Sequence, residues 1–503
     1  MVSVVFSAAI GGIYAQIINV EADVSDGLPV FNMVGYLSSE VKEAKDRVRT
    51  SIRNSGFLLK PKHITVNLSP ANIRKTGTGF DLPVAVSILA AYELLPQELL
   101  DESLIVGELS LEGSIKRITG ILPIVLMAKE KGFKRVIVPR DNALEGAVVS
   151  GIDVVGIDSV GELFSIISKG EELPVTETVE VVLSDEKVYP EDFSEVSGQF
   201  MARRAVEIAV SGMHNIILSG PPGAGKTMIA KRIPTVMPML TFDESMELSR
   251  IYSIAGLLDE ERYILTARPF CAPHHTATVP SLIGGGGKAA PGAVSLSHNG
   301  VLFLDELPEF GRDTIEALRQ PLEDRKVNIS RMNASYTYPA GFMLVASMNP
   351  CPCGFYPDRT KCTCTPQSIE RYKHRISRPI LDRIDIFVNV EKTEFRDICD
   401  RNRGEDSKTI RARIEKVRQI ELKRYEKEKI RFNSQLSGSM VDKYCVLNEK
   451  CLRIMEKAYE TLDLSARGYH RILKVARTIA DMDGADDIEE EHLREAIGYR
   501  GFM

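Results

Sequence analysis

The chain has 503 residues, and its 63 Lys and Arg against 69 Asp and Glu give a formal net charge of −6. At roughly 150 residues per domain, this length predicts about three domains. The net charge excludes a protein coated in positive charge, but not a local basic groove. No apolar run approaches the ~20 residues that a membrane-spanning helix needs, so we expect no membrane partner. The 8 cysteines are too few for a disulfide scaffold, which favours a reducing compartment and a cytoplasmic protein.

Residues 1–170 combine strand and helix patterns, which predicts an α+β domain. The start of the chain reads as a first strand rather than a signal peptide, because it lacks a basic segment and Gly11 and Gly12 interrupt it. Further segments predict strands at 64–68, 135–139 and 153–157 and a buried helix at 80–95. The segment 171–197 is acidic and contains proline, which is typical of a linker.

Residues 198–392 alternate between strand and helix patterns, as in a parallel α/β sheet, and begin with a predicted helix at 200–211. Residues 393–503 read almost wholly as helices, with predicted bounds of 411–431, 445–462, 465–482 and 488–498. The segment 401–431 holds 12 Lys and Arg against 6 Asp and Glu. This local excess suits either an electrostatic footprint for nucleic acid or a plain solvated helix.

A strand pattern at 215–219 leads into a glycine-rich turn that fits GxxxxGK[ST], the phosphate-binding loop. Glycines allow consecutive backbone N–H groups to surround a phosphate. We expect Lys226 to reach the β- and γ-phosphate oxygens and Thr227 to bind Mg²⁺, which makes ATP and Mg²⁺ the predicted cofactors. The predicted ATP-binding residues are Gly220, Pro221, Pro222, Gly223, Ala224, Gly225, Lys226 and Thr227.

Two later apolar strands end in polar side chains that suit the same site. The first is followed by Asp305, placed to hold Mg²⁺, and by Glu306, placed to polarise the attacking water. The second, at 342–348, is followed by Asn349, which we expect between the other two strand ends, where it could orient that water. Glu306 and Asn349 are therefore predicted catalytic residues.

Four cysteines crowd into one segment, as Cys351-Pro-Cys353 and Cys362-Thr-Cys364. Four thiolates on one loop can meet the tetrahedral geometry of structural Zn²⁺, at about 2.3 Å per Zn–S bond. The alternative is a set of free thiols. A catalytic zinc does not fit, because four thiolates leave no open position.

The order of phosphate loop, Asp-Glu pair and polar strand end resembles the AAA+ ATPases. Longer motifs narrow the resemblance to the magnesium-chelatase-like ComM/YifB family, and they cover essentially the whole chain. These motifs include residues 34–57, 64–91, 220–238, 272–276, 282–287, 297–310 and 349–354. The resemblance implies an α/β AAA+ P-loop core at 198–392 and a helical lid at 393–503. It also implies a first domain, 1–170, of the Lon-protease-like (ribosomal S5 domain 2-like) α+β fold.

The resemblance also implies a role for two arginines. Arg383, in PILDRIDI, matches the arginine that projects into the ATP site of the neighbouring subunit and stabilises charge on the transferred phosphoryl group. Arg467 matches the second sensor on the lid, with Arg471 one helical turn later as the reserve. An arginine that acts on a neighbour needs head-to-tail packing, and the family resemblance implies a homo-hexamer.

The family resemblance further implies a DNA motor, because ComM-type proteins are helicases that drive branch migration during natural transformation. The partner would be branched or single-stranded DNA. Two insertions are expected to line the pore, a loop at 268–292 and a hairpin at 325–338. Basic and aromatic side chains suit phosphates and exposed bases, and the predicted contacts are Lys288, Lys326, Arg331 and Tyr336.

Three other functions remain open from the residues. A metal-insertion motor like magnesium chelatase shares the motifs around residues 298–306. An ATP-dependent protease would need the Ser–Lys pair of Lon-type enzymes. The matching segments read Gly77-Thr-Gly-Phe80-Asp81-Leu and Gly120-Ile-Leu122-Pro123, without serine or lysine, so we predict no proteolysis. A scaffold without activity would leave the whole nucleotide motif idle.

Overall fold

The structure is a computed structural model that describes residues 2–181, 189–259, 262–286, 289–331, 334–392 and 404–500. It divides into two compact units. The first contains residues 1–182, 242–265 and 330–337, and the second contains residues 183–241, 266–329 and 338–503. The division therefore differs from the predicted domain limits, because two internal segments group with the first unit and the lid is not separated from the core.

The first unit is built on a mixed seven-stranded sheet. The strand order is β3-β4-β2-β1-β5-β8-β9. Strand β2 pairs antiparallel with β1 and β4, and the other neighbours are parallel. A short pair, β6 and β7, stands apart. The strands are β1 Val2–Gly11, β2 Tyr14–Ser25, β3 Phe31–Val34, β4 His63–Ser69, β5 Ser103–Ile105, β6 Glu108–Leu109, β7 Ile115–Lys116, β8 Arg135–Pro139 and β9 Asp153–Ile157.

The helices of this unit cover the sheet with apolar side chains. They are α1 Ser39–Lys42, α2 Ala44–Asn54, α3 Asp81–Ala91, α4 Gln97–Asp101, α5 Ile121–Glu130, α6 Ala143–Ala147, α7 Val160–Lys169 and, later in the chain, α10 Phe242–Ala255. Every residue of α3 is buried. The helix ends at Ala91 rather than at the predicted residue 95, because Glu93 adopts a left-handed conformation with φ of 60°. Met246 of α10 joins the apolar cluster around Leu122 of α5.

The second unit contains a five-stranded sheet in the order β11-β14-β17-β10-β18, and all its neighbouring strands are parallel. Strand β17 therefore lies between β10 and β14, which brings the carboxyl ends of these three strands to one edge. The predicted α/β class is confirmed. The strands of the unit are β10 Ile216–Ser219, β11 Phe270–Cys271, β12 Gly284–Gly285, β13 Ala290–Pro291, β14 Val301–Leu304, β15 Lys326–Arg331, β16 Ala334–Pro339, β17 Met343–Met348 and β18 Ile386–Asn389. The tip of the β15–β16 hairpin, residues 330–337, groups with the first unit.

Short helices follow the strands, and longer helices form the tail. They are α8 Phe200–Ser211, α9 Lys226–Val236, α11 Val279–Ile283, α12 Ala293–Leu296, α13 Arg312–Glu316, α14 Arg319–Asp324, α15 Pro366–Lys373, α16 Arg378–Leu381, α17 Ser407–Arg424, α18 Gly438–Tyr444, α19 Glu449–Thr461, α20 Ala466–Met482 and α21 Glu490–Gly498. In the parts of the chain that the structure describes, none of the helices combines the length and the apolar character that crossing a bilayer requires.

Two tail helices differ from their predicted bounds because of local caps. Helix α17 begins earlier, where the Asp406 side chain accepts from the N–H of Thr409, and ends at Arg424 instead of residue 431. After it, the buried Tyr425 hydroxyl donates to Asn433. Helix α19 begins at Glu449 instead of residue 445, because Asn448 caps it by accepting from the N–H of Cys451.

Candidate active site

The phosphate-binding turn connects β10 to α9, and its shape depends on glycine. Gly223 and Gly225 have φ of 74° and 89°, a region that side chains with a Cβ rarely adopt. A Cβ on Gly220 would collide with the carbonyl oxygen of Val390. Lys226 then begins α9, so the first N–H groups of this helix face the turn. This is the geometry that a phosphate requires.

The Lys226 ammonium lies within this turn. It donates to the carbonyl oxygens of Gly220 and Pro221, at 2.6 and 3.0 Å, and to Oδ1 of Asn349, at 3.1 Å. Burial lowers the pKa of Lys226, and the negative charges of Asp305 and Glu306 oppose that effect. A polyphosphate in the turn would supply the anionic partner that these neutral oxygens only partly replace.

The residues that could hold Mg²⁺ lie beside the lysine. Thr227 Oγ1 donates to Asp305 Oδ2 at 2.9 Å, so the hydroxyl and the carboxylate already share one site. Ser347 Oγ donates to the other oxygen of Asp305 and accepts from the N–H of Glu306 at 3.0 Å. Glu306 itself adopts a left-handed conformation with φ of 54°, which is uncommon for a residue other than glycine.

Three residues of this site were missed by the sequence analysis. Ser347 orients Asp305, as described above. Gln199 has φ of 53°, and its Nε2 donates to the carbonyls of Glu391 and of Ala224 in the phosphate turn, at 2.5 and 3.5 Å. The Tyr372 hydroxyl is hydrogen-bonded to the backbone of Asn349, and burial raises the pKa of Tyr372 to about 12. None of the three belongs to a local motif, so only their tertiary contacts reveal them.

The two arginines that the resemblance singled out converge on one carboxylate. Arg383 is 6% exposed and donates through Nη2 to Glu323. Arg467 Nη2 lies 3.5 Å from the other oxygen of the same Glu323. Arg471, the reserve position, instead pairs with buried Asp385, which also accepts from the N–H of Asn215 at 3.0 Å. These contacts hold the pKa of Asp385 well below its usual range despite its burial, so Arg471 is committed to a structural pair.

The four cysteines come together. Their sulfur atoms all lie within 4.8 Å of one another. The Cys351–Cys362 separation of 3.8 Å equals the edge of about 3.8 Å that a tetrahedron with Zn–S bonds of about 2.3 Å requires. Cys351 is buried, and the N–H of Tyr356 donates to its sulfur at 3.4 Å. The donor set therefore fits a closed, structural Zn²⁺ site.

The cysteine loop also contacts the phosphate turn. A Cβ on Gly354 would lie 2.5 Å from the Cδ of Pro222, so only glycine allows the two loops to approach this closely. The loop begins directly after Asn349. The cysteine loop is therefore adjacent both to Asn349 and to the phosphate turn, and Lys226 donates to Asn349.

The predicted DNA contacts have different surroundings. Lys326 is exposed on β15, together with Asn328 and Ser330 on the same side of the strand. Tyr336 is half-buried, and its ring lies against the turn formed by Gly11 and Gly12. Arg331 is the last residue of β15, and Lys288 lies outside the described residues.

The basic segment at 401–431 has many internal partners where the structure describes it. Arg411 donates to the carbonyl of Thr235, at 3.0 Å from Nε. Arg413 pairs with Glu207 at 2.6 Å, and Arg424 pairs with Asp481 at 2.6 Å. These contacts favour the interpretation of a helix packed by ion pairs over that of a free basic surface.

The first unit has no counterpart of a Ser–Lys pair at the segments that match Lon-type proteases. A Cβ on Gly79 would lie 3.4 Å from Cδ1 of Ile118, so an apolar side chain covers this turn. Thr78 Oγ1 donates to Glu108, and Leu122 is fully buried. The buried Glu145 carboxylate accepts a hydrogen bond from the N–H of Leu122 at 3.2 Å and another from the Ser253 hydroxyl at 2.5 Å. Burial raises the pKa of Glu145 despite these hydrogen bonds.

Comparison with known proteins places the whole chain in one family. Family models described as magnesium chelatase subunit ChlI, subunit ChlI of Mg-chelatase, and magnesium chelatase subunit ChlI C-terminal match residues 192–398, 20–142 and 404–500. Competence protein ComM of Haemophilus influenzae is 41% identical over 506 residues, which cover 100% of this chain and 98% of the relative. YifB of Escherichia coli is 39% identical over 506 residues, covering 99% of this chain and 97% of the relative.

A shorter similarity involves a Lon protease. Lon protease 2 of Bacillus subtilis is 30% identical over 151 residues, which cover 28% of this chain and 27% of the relative. The full-length similarities and the assembled phosphate site lead to the same conclusion. The chain belongs to the magnesium-chelatase-like ComM/YifB family of AAA+ ATPases.

Proposed function

We propose that the chain is the subunit of a hexameric, ATP-driven DNA helicase that promotes branch migration in recombination and natural transformation. The observation that carries the proposal is the nucleotide site, in which Lys226 already contacts Asn349 and Thr227 already contacts Asp305. The relative named as a competence protein supports the link to DNA uptake. In this proposal Lys226 binds phosphate, Thr227 and Asp305 hold Mg²⁺, and Glu306 activates water.

In this proposal Arg383 acts at the junction between subunits, and Arg467 acts as the second sensor on the lid. A cation that approaches the γ-phosphate from a neighbouring chain stabilises charge in the transition state and makes hydrolysis depend on assembly. The support is the match of both residues to family motifs and their common partner Glu323. A head-to-tail contact of this kind closes into a ring when the rotation between subunits allows it.

The hairpin is the proposed contact with DNA. Lys326 presents an exposed charge that a phosphate could neutralise. Lys288 and Arg331 are proposed to act in the same way, and Tyr336 would have to leave the Gly11–Gly12 turn before it could stack on a base. We therefore expect Lys326→Ala to weaken DNA-dependent activity more than Tyr336→Ala does.

The test is the ATPase rate of the full-length protein without DNA, with single-stranded DNA and with a four-way junction, together with the mass of the assembly. We expect the junction to raise the rate and a species of six chains to form. A mixture of Lys226→Ala and Arg383→Ala chains should regain turnover, because each chain supplies what the other lacks. The proposal would be refuted by a protein that hydrolyses ATP as a single chain and whose ATPase rate changes neither with single-stranded DNA nor with the junction.

A second candidate is a motor subunit for metal insertion, favoured by the family models described as magnesium chelatase subunits. The same ATPase assay separates the two functions. Stimulation by the partner subunits of a chelatase, combined with indifference to the four-way junction, would favour metal insertion.

We also propose that Cys351, Cys353, Cys362 and Cys364 hold a structural Zn²⁺. The support is the sulfur geometry described above. We expect about one zinc per chain by elemental analysis. Cys351→Ser should lose this metal, and the matched variant Cys271→Ser, outside the cluster, should retain it. Equal zinc content in both variants would contradict this assignment.

A further inference from the structure

Glu323 contacts both arginines to which the proposed function assigns a role in ATP hydrolysis. It lies in α14, and its carboxylate accepts a hydrogen bond from Nη2 of Arg383. The second oxygen of the same group lies 3.5 Å from Nη2 of Arg467. The hydrogen bond from Arg383 is the largest of the effects that lower the pKa of Glu323, so the group is an anion at neutral pH.

The contact keeps Arg383 inside its own chain. The side chain is 8% exposed, and Nη1 donates to the carbonyl oxygen of Pro379 at 2.7 Å. Nε is buried without a hydrogen-bond partner among the described residues, so the present position satisfies the guanidinium incompletely. A guanidinium that acts on the nucleotide of a neighbouring chain must project from its own surface. Arg383 therefore has to leave Glu323 before it can act.

Arg467 differs in this respect. Its side chain is 63% exposed, and the pair with Glu323 lies at the solvent surface. Such pairs contribute little to stability, so Arg467 can change partner at small cost. Of the two arginines, Arg383 is the one whose release Glu323 can control.

The position of Glu323 in the chain connects it to the hairpin. Only Asp324 and Arg325 separate it from Lys326, the first residue of β15. The backbone of Arg325 connects the base of the hairpin to α14, because its N–H donates to Pro321 and its carbonyl accepts from Ala340 at the other side of the hairpin. Its Nη2 also donates to Ser434. A movement of the hairpin base therefore shifts the end of α14 and the carboxylate of Glu323 with it.

We propose that Glu323 is a positioning residue that retains Arg383 while no nucleic-acid strand is bound at the hairpin, and that strand binding at β15 releases Arg383 to the neighbouring subunit. The inference rests on the proposed function and adds the route by which DNA controls hydrolysis. An amide in place of the carboxylate keeps the shape of the side chain but removes the charge that holds the guanidinium.

The test compares ATP hydrolysis by the full-length wild type, Glu323→Gln and the matched control Asp324→Asn, each with and without a four-way junction. Asp324 is the adjacent exposed carboxylate. We expect the DNA-free kcat of Glu323→Gln to rise roughly two- to fivefold, which corresponds to about 0.4–1 kcal/mol and lies within the range of exposed ion pairs. The KM for ATP and the DNA-stimulated rate should stay the same, so the stimulation ratio falls by that factor. Asp324→Asn should behave as the wild type.

A mixing experiment locates the effect in the neighbouring chain. Arg383→Ala chains are combined with Lys226→Ala chains that either keep Glu323 or carry Glu323→Gln. The second mixture should hydrolyse ATP faster without DNA, because its freed Arg383 acts on the intact nucleotide site of the other chain.

The possible results distinguish a failure of this inference from a failure of the proposed function. An unchanged stimulation ratio in Glu323→Gln, or an equal loss of both rates, would overturn this inference while leaving the DNA motor intact. A wild type that no DNA stimulates would overturn the proposed function and this inference together.

Discussion

The glycine turn at 220–225 and the glycine turn at 77–79 both precede a helix, but their polar groups have different partners. After the first turn, Lys226 donates to Asn349 and Thr227 donates to Asp305, and these four side chains suit a nucleotide and its metal. In the second turn, the N–H of Gly77 donates to Glu40, and Thr78 donates to Glu108. A glycine-rich turn before a helix therefore does not define a nucleotide site by itself, and the side chains around it distinguish the two cases.

The largest effect should come from the first turn. Lys226→Ala removes the ammonium that would contact the phosphates, so we expect the ATPase rate to fall roughly 100-fold or more. Lys231→Ala, an exposed lysine in the same helix, serves as the control and should keep the wild-type rate. Steady-state hydrolysis measures both variants. Normal ATP turnover by Lys226→Ala would mean that the first turn, like the second, contributes no group to hydrolysis.

Glu306→Gln separates binding from chemistry in the first turn. The amide cannot accept a proton from water, so we expect hydrolysis to slow about 100-fold while ATP still binds. Nucleotide binding is measured by calorimetry and turnover by phosphate release. The control is Glu309→Gln, whose carboxylate is exposed and pairs with Arg375 at 2.8 Å. Equal hydrolysis rates in Glu306→Gln and Glu309→Gln would show that Glu306 does not activate the attacking water.

The second turn should respond in stability rather than in catalysis. Asp81 follows this turn and accepts two hydrogen bonds from Arg47, at 2.8 and 2.9 Å, while fully buried. Asp81→Asn removes the charge that these bonds depend on, so the free energy of unfolding should fall by about 1–3 kcal/mol. Urea denaturation measures it, with the exposed Asp46→Asn as control. A loss of ATPase activity in folded Asp81→Asn protein would show that the second turn retains a catalytic task.

The smallest effect is expected for Thr78→Val, which has nearly the same shape and lacks the hydroxyl that donates to Glu108. We expect a loss of about 0.5–1.5 kcal/mol in the free energy of unfolding and an unchanged ATPase rate. Thr76→Val, at the exposed position just before this turn, should change neither quantity. Denaturation curves of the two variants that coincide would mean that the Thr78 contact contributes nothing.

The sequence predicted those parts of the molecule whose signals are local. The phosphate turn, the strands before Asp305 and Asn349, the hairpin and helix α8 all follow from patterns within about a dozen residues. The crowding of four cysteines was likewise visible, because their spacing is short. Here the predicted elements agree with the structure because one short segment contains the whole signal for each element.

The remaining features depend on contacts between distant segments. Glu323 and Arg383 are 60 positions apart, and Ser347 and Asp305 are 42 apart, so no local pattern links them. The basic tail segment was ambiguous for the same reason, since only the fold shows that Arg413 and Arg424 pair with acidic groups of other helices. The assignment of residues 242–265 to the first unit is also a tertiary property.

That assignment has a practical consequence for dissecting the protein. The first compact unit draws on three separate stretches of chain, and Met246 and Ile264 contribute to its apolar core. A fragment cut after residue 182 would lack α10 and expose the surface that α10 covers. Such a fragment would therefore be prone to aggregate, and point variants in the full-length chain are the sounder way to assign a task to either unit.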